Sequence, residues 1–242
     1  MMAERWLWDR FLFQIRESGL IPEGGNILDI GTGTNTTILE MFGDKWNVTP
    51  SDINVGHWNA HIPGMVKVDA SRMSVEESIA GKKWDAIILS EVLEHVVEPQ
   101  RVLQQAWHLL QPGGVVIVTV PFMYRIHEYG GNDPETVEPG LLDYWRITPS
   151  GMALLMFNTA YSPFWVGRLV HGDKKTFPEF YCPAGVVAWG VKPVDISTAC
   201  GKIPEEEFNP SIPDNWRQIQ TTMTEEWREE NVGRTESNTG GT

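Results

Sequence analysis

The chain has 242 residues, 41% hydrophobic and 21% charged, which is enough for one α/β domain with decorations and too balanced for a chain without a core. Its net charge of −13 repels phosphate backbones, and no Lys/Arg cluster forms a basic stripe, so nucleic acid is not expected as the principal partner. No run approaches the roughly 20 apolar residues that cross a bilayer, which points to a soluble, cytoplasmic protein with no membrane partner.

Residues 4–18 carry apolar side chains at helical intervals (Trp6, Leu7, Phe11, Ile15) broken by charges, the pattern of an amphipathic helix and not of a secretory leader. After Gly24-Gly25, the run Asn26-Ile27-Leu28-Asp29-Ile30 predicts a buried parallel strand. A helix over 36–42 and a second strand over 46–50, ending at Ser51-Asp52, follow. Short apolar runs at 66–69, 84–89 and 115–120 predict strands three to five. Between the last two, 99–110 opens on Pro99 and stops at Gln111-Pro112-Gly113-Gly114, start and stop signals of a helix. Strands alternating with helices indicate a Rossmann-like, doubly wound α/β fold with a mainly parallel sheet.

Beyond 121 the regularity fades. Residues 121–148 read as a long loop or lid insertion, 149–158 as a helix, and 164–170 and 186–191 as two more strands pairing at an antiparallel sheet edge. The expected organisation is a single domain over 1–201 and an acidic, poorly packed tail over 202–242, where four basic residues face nine acidic ones and Trp216 and Trp227 are possible docking points. Cys182 and Cys200 are too few for a disulfide framework, and free thiols are the simpler reading.

The chemistry gathers at the strand ends. Asp29-Ile30-Gly31-Thr32-Gly33-Thr34-Asn35 delivers a strand to a turn whose glycines let backbone approach a nucleoside. A dinucleotide fingerprint would want glycine at 36, where this chain has Thr36. The segment resembles motif I of class I S-adenosylmethionine-dependent methyltransferases. Asn35 stands where that family often has a third glycine, a departure expected to be tolerated because Asn reaches positive φ more readily than most residues. Further landmarks follow in order. Trp84 to Val96 resembles the family's motif IV in the subgroup carrying Glu-His, Leu109 to Gly114 its "L-x-P-G-G" turn, and Leu142 to Gly151 its "D-aromatic-aromatic-R-x-T-x-x-G" segment.

The resemblance implies methyl transfer from S-adenosylmethionine, leaving S-adenosylhomocysteine, to a small or medium-sized acceptor, with oxygen, nitrogen and carbon all open. Gly31, Thr32 and Gly33 would line the methionine and ribose portion, and Asp29 would receive the ammonium or else cap the turn. Asp52 would hold the ribose hydroxyls and Ile53 would cover the adenine. Asp69 and Ala70 would read the adenine edge, unless Asp69 caps the next helix. Ser90 would sit beside the sulfonium.

For the proton of the acceptor, Glu91, Glu94 and His95 fall at i, i+3 and i+4, one face of a helix if the segment is helical. His127 follows strand five and would border the acceptor pocket. These four side chains resemble a divalent-metal set found in some members, but the same Glu-His pair also serves hydrogen bonding and helix packing in metal-free ones. Asp143 and Arg146, three apart, read as an ion pair that positions the lid. The alternative to an enzyme is a catalytically weak S-adenosylmethionine-binding module that recruits a protein partner.

Overall fold

The computed structural model describes residues 2–57, 59–124, 126, 142–170 and 183–195. The expectations for His127, both cysteines, most of the lid and the acidic tail lie outside those residues. Among the described residues, four α-helices and seven strands follow in the predicted order. They are α1 (Met2–Glu17), β1 (Asn26–Ile30), α2 (Thr37–Phe42), β2 (Asn47–Asp52), β3 (Val66–Lys67), β4 (Trp84–Ser90), α3 (Pro99–Leu109), β5 (Leu110–Pro121), α4 (Pro149–Asn158), β6 (Phe164–Val170) and β7 (Pro183–Val191).

The strands form one sheet in the order β3-β2-β1-β4-β5-β7-β6. β1 pairs in parallel with both β2 and β4, so the chain starts in mid-sheet, winds outward one way and then the other. That reversal leaves a crevice at the carboxyl ends of β1 and β4. β7 runs antiparallel to both β5 and β6, so it enters between them and β6 closes the edge. The central strands are buried on both faces, in keeping with their apolar runs.

Three differences from expectation have local causes. The third strand stops at Lys67, because Asp69 turns the chain into a 3-10 helix, Ala70–Val75, accepting the Ser71 amide on its side chain at 2.8 Å. The turn 111–114 belongs to β5, because Gly113 N and Gly114 O bond to O and N of Lys192, just after β7. Asn35 is not in the left-handed region; its Oδ1 instead accepts from the Thr37 amide (2.9 Å) and hydroxyl (2.6 Å), stitching the start of α2.

Asp85, the acidic residue that opens the motif after strand three, lies at the far end of the sheet. It accepts from the Asn26 amide at 2.7 Å and from the Gln111 side chain, pinning the starts of β1 and β5 together. Helix α1 is an integral part of the sheet's cover. Leu7, Phe11, Leu12 and Ile15 are buried, Phe11 stacks on Trp165 of β6 at 6.3 Å between centroids, and Arg16 donates to Met41 O and Asp44 at the end of α2. Phe11→Ala should therefore lower the free energy of unfolding by about 3–5 kcal/mol in urea titrations; a loss under about 1 kcal/mol would mean that α1 is not docked as described.

Candidate functional site

The loop after β1 is stitched to the end of β2. The amides of Gly31 and Thr32 both donate to Ser51 O at 2.9 Å, and Thr32 Oγ1 accepts from Ser51 N at 3.1 Å while donating to Asp29 Oδ2 at 2.7 Å. Gly31 has φ 74° and Gly33 φ 59°, a region costly for side chains. A Cβ on Gly31 would also stand 2.6 Å from Cγ2 of Val92, so the glycine is needed twice over. Asp52, at the tip of β2, accepts the Gly33 amide on Oδ2 (2.9 Å) and the Asn54 amide on Oδ1 (2.8 Å). One carboxylate thus fixes the loops after two adjacent strands.

These loops border an open cleft of about 1160 Å³ beyond the carboxyl ends of the strands. Gly31, Gly33, Asp52, Ile53, Asp69 and Ala70 line it, and so do Glu91 and His95. The cleft combines a glycine backbone, apolar walls at Ile30, Ile53 and Val92, and carboxylates at its edges. That set fits an adenosine with a charged amino-acid tail.

Asp29, Thr32 and Ser90 do not line the cleft. Asp29 and Thr32 are buried and bonded to each other, the turn-capping arrangement. Burial, with the nearby Asp52 charge adding to it, pushes the Asp29 carboxyl up to about 7 despite the Thr32 bond. Ser90 Oγ lies 3.0 Å from Thr119 Oγ1 on β5.

Glu91, Glu94 and His95 do not share a helix face. Glu91 has φ 58°, and only Leu93–His95 form a single 3-10 turn. The strain at Glu91 is held by β5: its amide donates to Thr119 O (3.0 Å) and its Oε1 accepts the Thr119 hydroxyl (2.9 Å). When Glu91 is ionised and takes that hydroxyl proton, Ser90 is the donor to Thr119, giving a chain Ser90→Thr119→Glu91. Burial raises the Glu91 carboxyl to about 7, against the bond from Thr119 and the charge of Arg146.

Glu94 is fully buried and neither carboxyl oxygen has a hydrogen-bond partner. Burial first, and the Glu91 charge second, hold its carboxyl well above the usual range. His95 Nδ1 donates to Leu142 O at 2.8 Å, and its Nε2 lies 3.7 Å from Glu94 Oε1. Among the described residues no three His, Cys, Asp or Glu side chains converge as a cation site would need, so the metal set suggested by the spacing is not assembled by Glu91, Glu94 and His95. The helix that would have aligned them is absent.

Residues 142–146 lie across this turn as a strap. Besides the His95 bond, Tyr144 N donates to Glu94 O at 2.7 Å and Trp145 Nε1 to Val96 O at 2.8 Å. Arg146 grips the buried Asp143 carboxylate through both Nη atoms, and its Nε reaches Tyr124 O at 3.3 Å. The Asp143–Arg146 ion pair expected from the sequence is present. The sequence reading did not select Thr119, the one polar residue in the run Val115 to Val120, and that polar interruption was the signal for it. Nor did it select His57 or Lys67, which also line the cleft and carry no distinguishing pattern, and it gave Tyr144, an aromatic of the segment after strand five, no place in the cleft that it lines.

Residues 7–148 match the family described as methyltransferase domain. The chain belongs to that family. Its fold is the one seen in solved S-adenosylmethionine-dependent methyltransferases. Among curated relatives, a "Ubiquinone biosynthesis O-methyltransferase" of Rhizobium etli (strain CIAT 652) is 31% identical over 101 residues, 40% of this chain and 41% of the relative. One of the same name from Xanthomonas axonopodis pv. citri (strain 306) is 26% identical over 177 residues, 70% of this chain and 62% of the relative. The chain thus spans about two fifths of the length of the first relatives it matches. Among solved structures, a "SAM dependent methyltransferase from Archaeoglobus fulgidus" shares the fold with a TM-score of 0.55 at 14% identity, covering 76% of this chain and 94% of the other. A Burkholderia thailandensis 1,6-didemethyltoxoflavin-N1-methyltransferase does so with a TM-score of 0.55 at 15% identity, covering 79% and 80%.

Within this methyltransferase, Gly31→Ala should abolish measurable binding of S-adenosylhomocysteine in a calorimetric titration while leaving a cooperative thermal transition. Binding retained within about threefold would contradict the close approach of Gly31 to Val92 as a determinant of the cleft.

Proposed function

We propose that this methyltransferase uses Glu91 to take the proton of a small or medium-sized acceptor while the loops after β1, β2 and β3 hold S-adenosylmethionine. When bound, that molecule supplies a methyl on a sulfonium, a leaving group that needs no covalent catalyst. The chain's own work is alignment, exclusion of water and proton removal. Gly31 and Gly33 would meet the methionine and ribose portion by backbone, Asp52 the ribose hydroxyls through lone pairs that its two amide bonds leave, and Ile53, Asp69 and Ala70 the adenine. Asp29 and Thr32 would act from behind the wall by fixing the loop, and Ser90 through Thr119. His95, held in the Nδ1–H form by Leu142, would present Nε2 as a second polar contact. His127 would add one from the lid.

The observation that carries this reading is Glu91: it lines the cleft, sits in a strained backbone locked by Thr119, and ionises at about 7. A base works in its ionised form, so activity should rise with pH between about 6 and 8 and level off above. The matched relatives are named as O-methyltransferases, and a base poised there suits a hydroxyl whose proton leaves as the methyl arrives. A hydroxylated aromatic acceptor is therefore the first class to try. No step is assigned to a divalent metal, because the described carboxylates and histidine do not converge.

The test is release of S-adenosylhomocysteine with a panel of catechols, phenols and amines. At least one hydroxyl acceptor should turn over, and Glu91→Gln should lower kcat about 10²–10⁴-fold with cofactor binding kept. Full activity of Glu91→Gln would remove Glu91 from the mechanism. Turnover with amines alone would move the reaction to nitrogen, and no turnover at all would favour a binding module.

A further inference from the structure

The strap over residues 142–146 is tied to the turn after β4 at several points. His95 Nδ1 donates to Leu142 O at 2.8 Å, Tyr144 N to Glu94 O at 2.7 Å, and Trp145 Nε1 to Val96 O at 2.8 Å. Between those bonds, Arg146 holds the buried Asp143 carboxylate through both Nη atoms. Every residue of the strap thus has a bond of its own. The one that seats Tyr144 uses its backbone amide, and any other side chain would leave that bond in place.

What the strap presents at that point is an aromatic ring. Tyr144 lines the cleft and is 47% exposed, and its side chain is the one benzene ring among the described residues that line it. The turn to which it is tied brings Val96 and Val97 to the same cleft, Val97 being 66% exposed, and Glu91 opens that turn. An aromatic held open to water on a fixed support, with valines from the adjoining turn, is a contact surface waiting for a ligand. A planar ring laid on Tyr144 gains stacking as well as apolar burial, and little ordering is lost because the strap is already fixed. A saturated ring of the same size gains only the apolar part. An ammonium is the weaker fit, since aromatic recognition of such cations uses several rings as a cage.

We propose that Tyr144 is the residue that selects the acceptor: its ring, presented by the strap, stacks on a planar aromatic ring of the molecule to be methylated. This rests on the reading of the cleft as the place where S-adenosylmethionine meets its acceptor, and it does not depend on which group takes the proton. The selection is by shape and π face, so the phenol oxygen of Tyr144 is dispensable and its ring is not.

The test is a set of calorimetric titrations on the full chain saturated with S-adenosylhomocysteine. Catechol is compared with trans-cyclohexane-1,2-diol, which carries two adjacent hydroxyls on a ring without a π face. The wild-type complex should bind catechol about threefold to tenfold more tightly than the diol. Tyr144→Phe should keep that preference. Tyr144→Leu, which retains apolar bulk and the backbone bond to Glu94, should abolish it, with S-adenosylhomocysteine affinity unchanged in both variants. Equal binding of the two rings by the wild-type complex, or binding of neither, would overturn the role of Tyr144. So would a preference that survives Tyr144→Leu, or tetramethylammonium binding more tightly than catechol. A fall in S-adenosylhomocysteine affinity in Tyr144→Leu as large as that for catechol would assign the ring to the cofactor and overturn the proposal as well. Failure of the folded wild-type chain to bind S-adenosylhomocysteine at all would remove the cleft reading itself, a separate and recognisable result.

Discussion

The Asp52 carboxylate, accepting one amide from the loop after β1 and another from the loop after β2, is the constraint on which the cleft depends. Parallel strands deliver their loops to one edge of the sheet, but nothing in strand pairing sets the distance between those loops. Hydrogen bonds to a charged acceptor contribute about 1.5–3 kcal/mol each, which is enough to hold a short glycine loop in left-handed backbone. Ser51, beside it, accepts both other loop amides on its carbonyl, so the end of β2 is a template for Gly31 to Gly33. The same carboxylate then stands at the edge of an apolar slot, where ribose hydroxyls need an acceptor. Structure and binding draw on one group.

The second feature of the site is the concentration of buried acid. Glu91, Glu94 and Asp143 lie close enough to influence one another, with Arg146 among them. Burial separates their roles. Asp143 is gripped by both Nη atoms of Arg146, Glu94 has no hydrogen-bond partner and its carboxyl is held well above the usual range by burial, and the Glu91 carboxyl is raised to about 7. Of these three carboxyls, Glu91 is the one that lines the cleft.

Most of the architecture was legible because it is written in local runs. β1, β4 and β5 each carry an apolar run (Ile27-Leu28, Ala86 to Leu89, Val115 to Val118), and both Pro99 and the Thr148-Pro149 pair mark helix starts that the structure keeps, Thr148 accepting the Gly151 amide. The glycine loop and Asp52 were legible by position after strands. What failed was inference that used sequence spacing where tertiary contact decides. Glu91, Glu94 and His95 have helical spacing, yet Thr119, 28 residues away, pulls Glu91 into the left-handed region and the helix does not form. Asn35 was expected to replace a glycine through its backbone and instead acts through its side chain as a cap.

The most direct measurement of the central claim is a calorimetric titration of the wild-type chain with S-adenosylmethionine and S-adenosylhomocysteine, repeated on Asp52→Ala. Micromolar, one-to-one binding of both ligands, weakened at least tenfold in the variant, is the result that the cleft geometry predicts, since tenfold is the loss of about one charge-assisted bond. Absence of binding to folded wild-type protein, or equal affinity in Asp52→Ala, would contradict it.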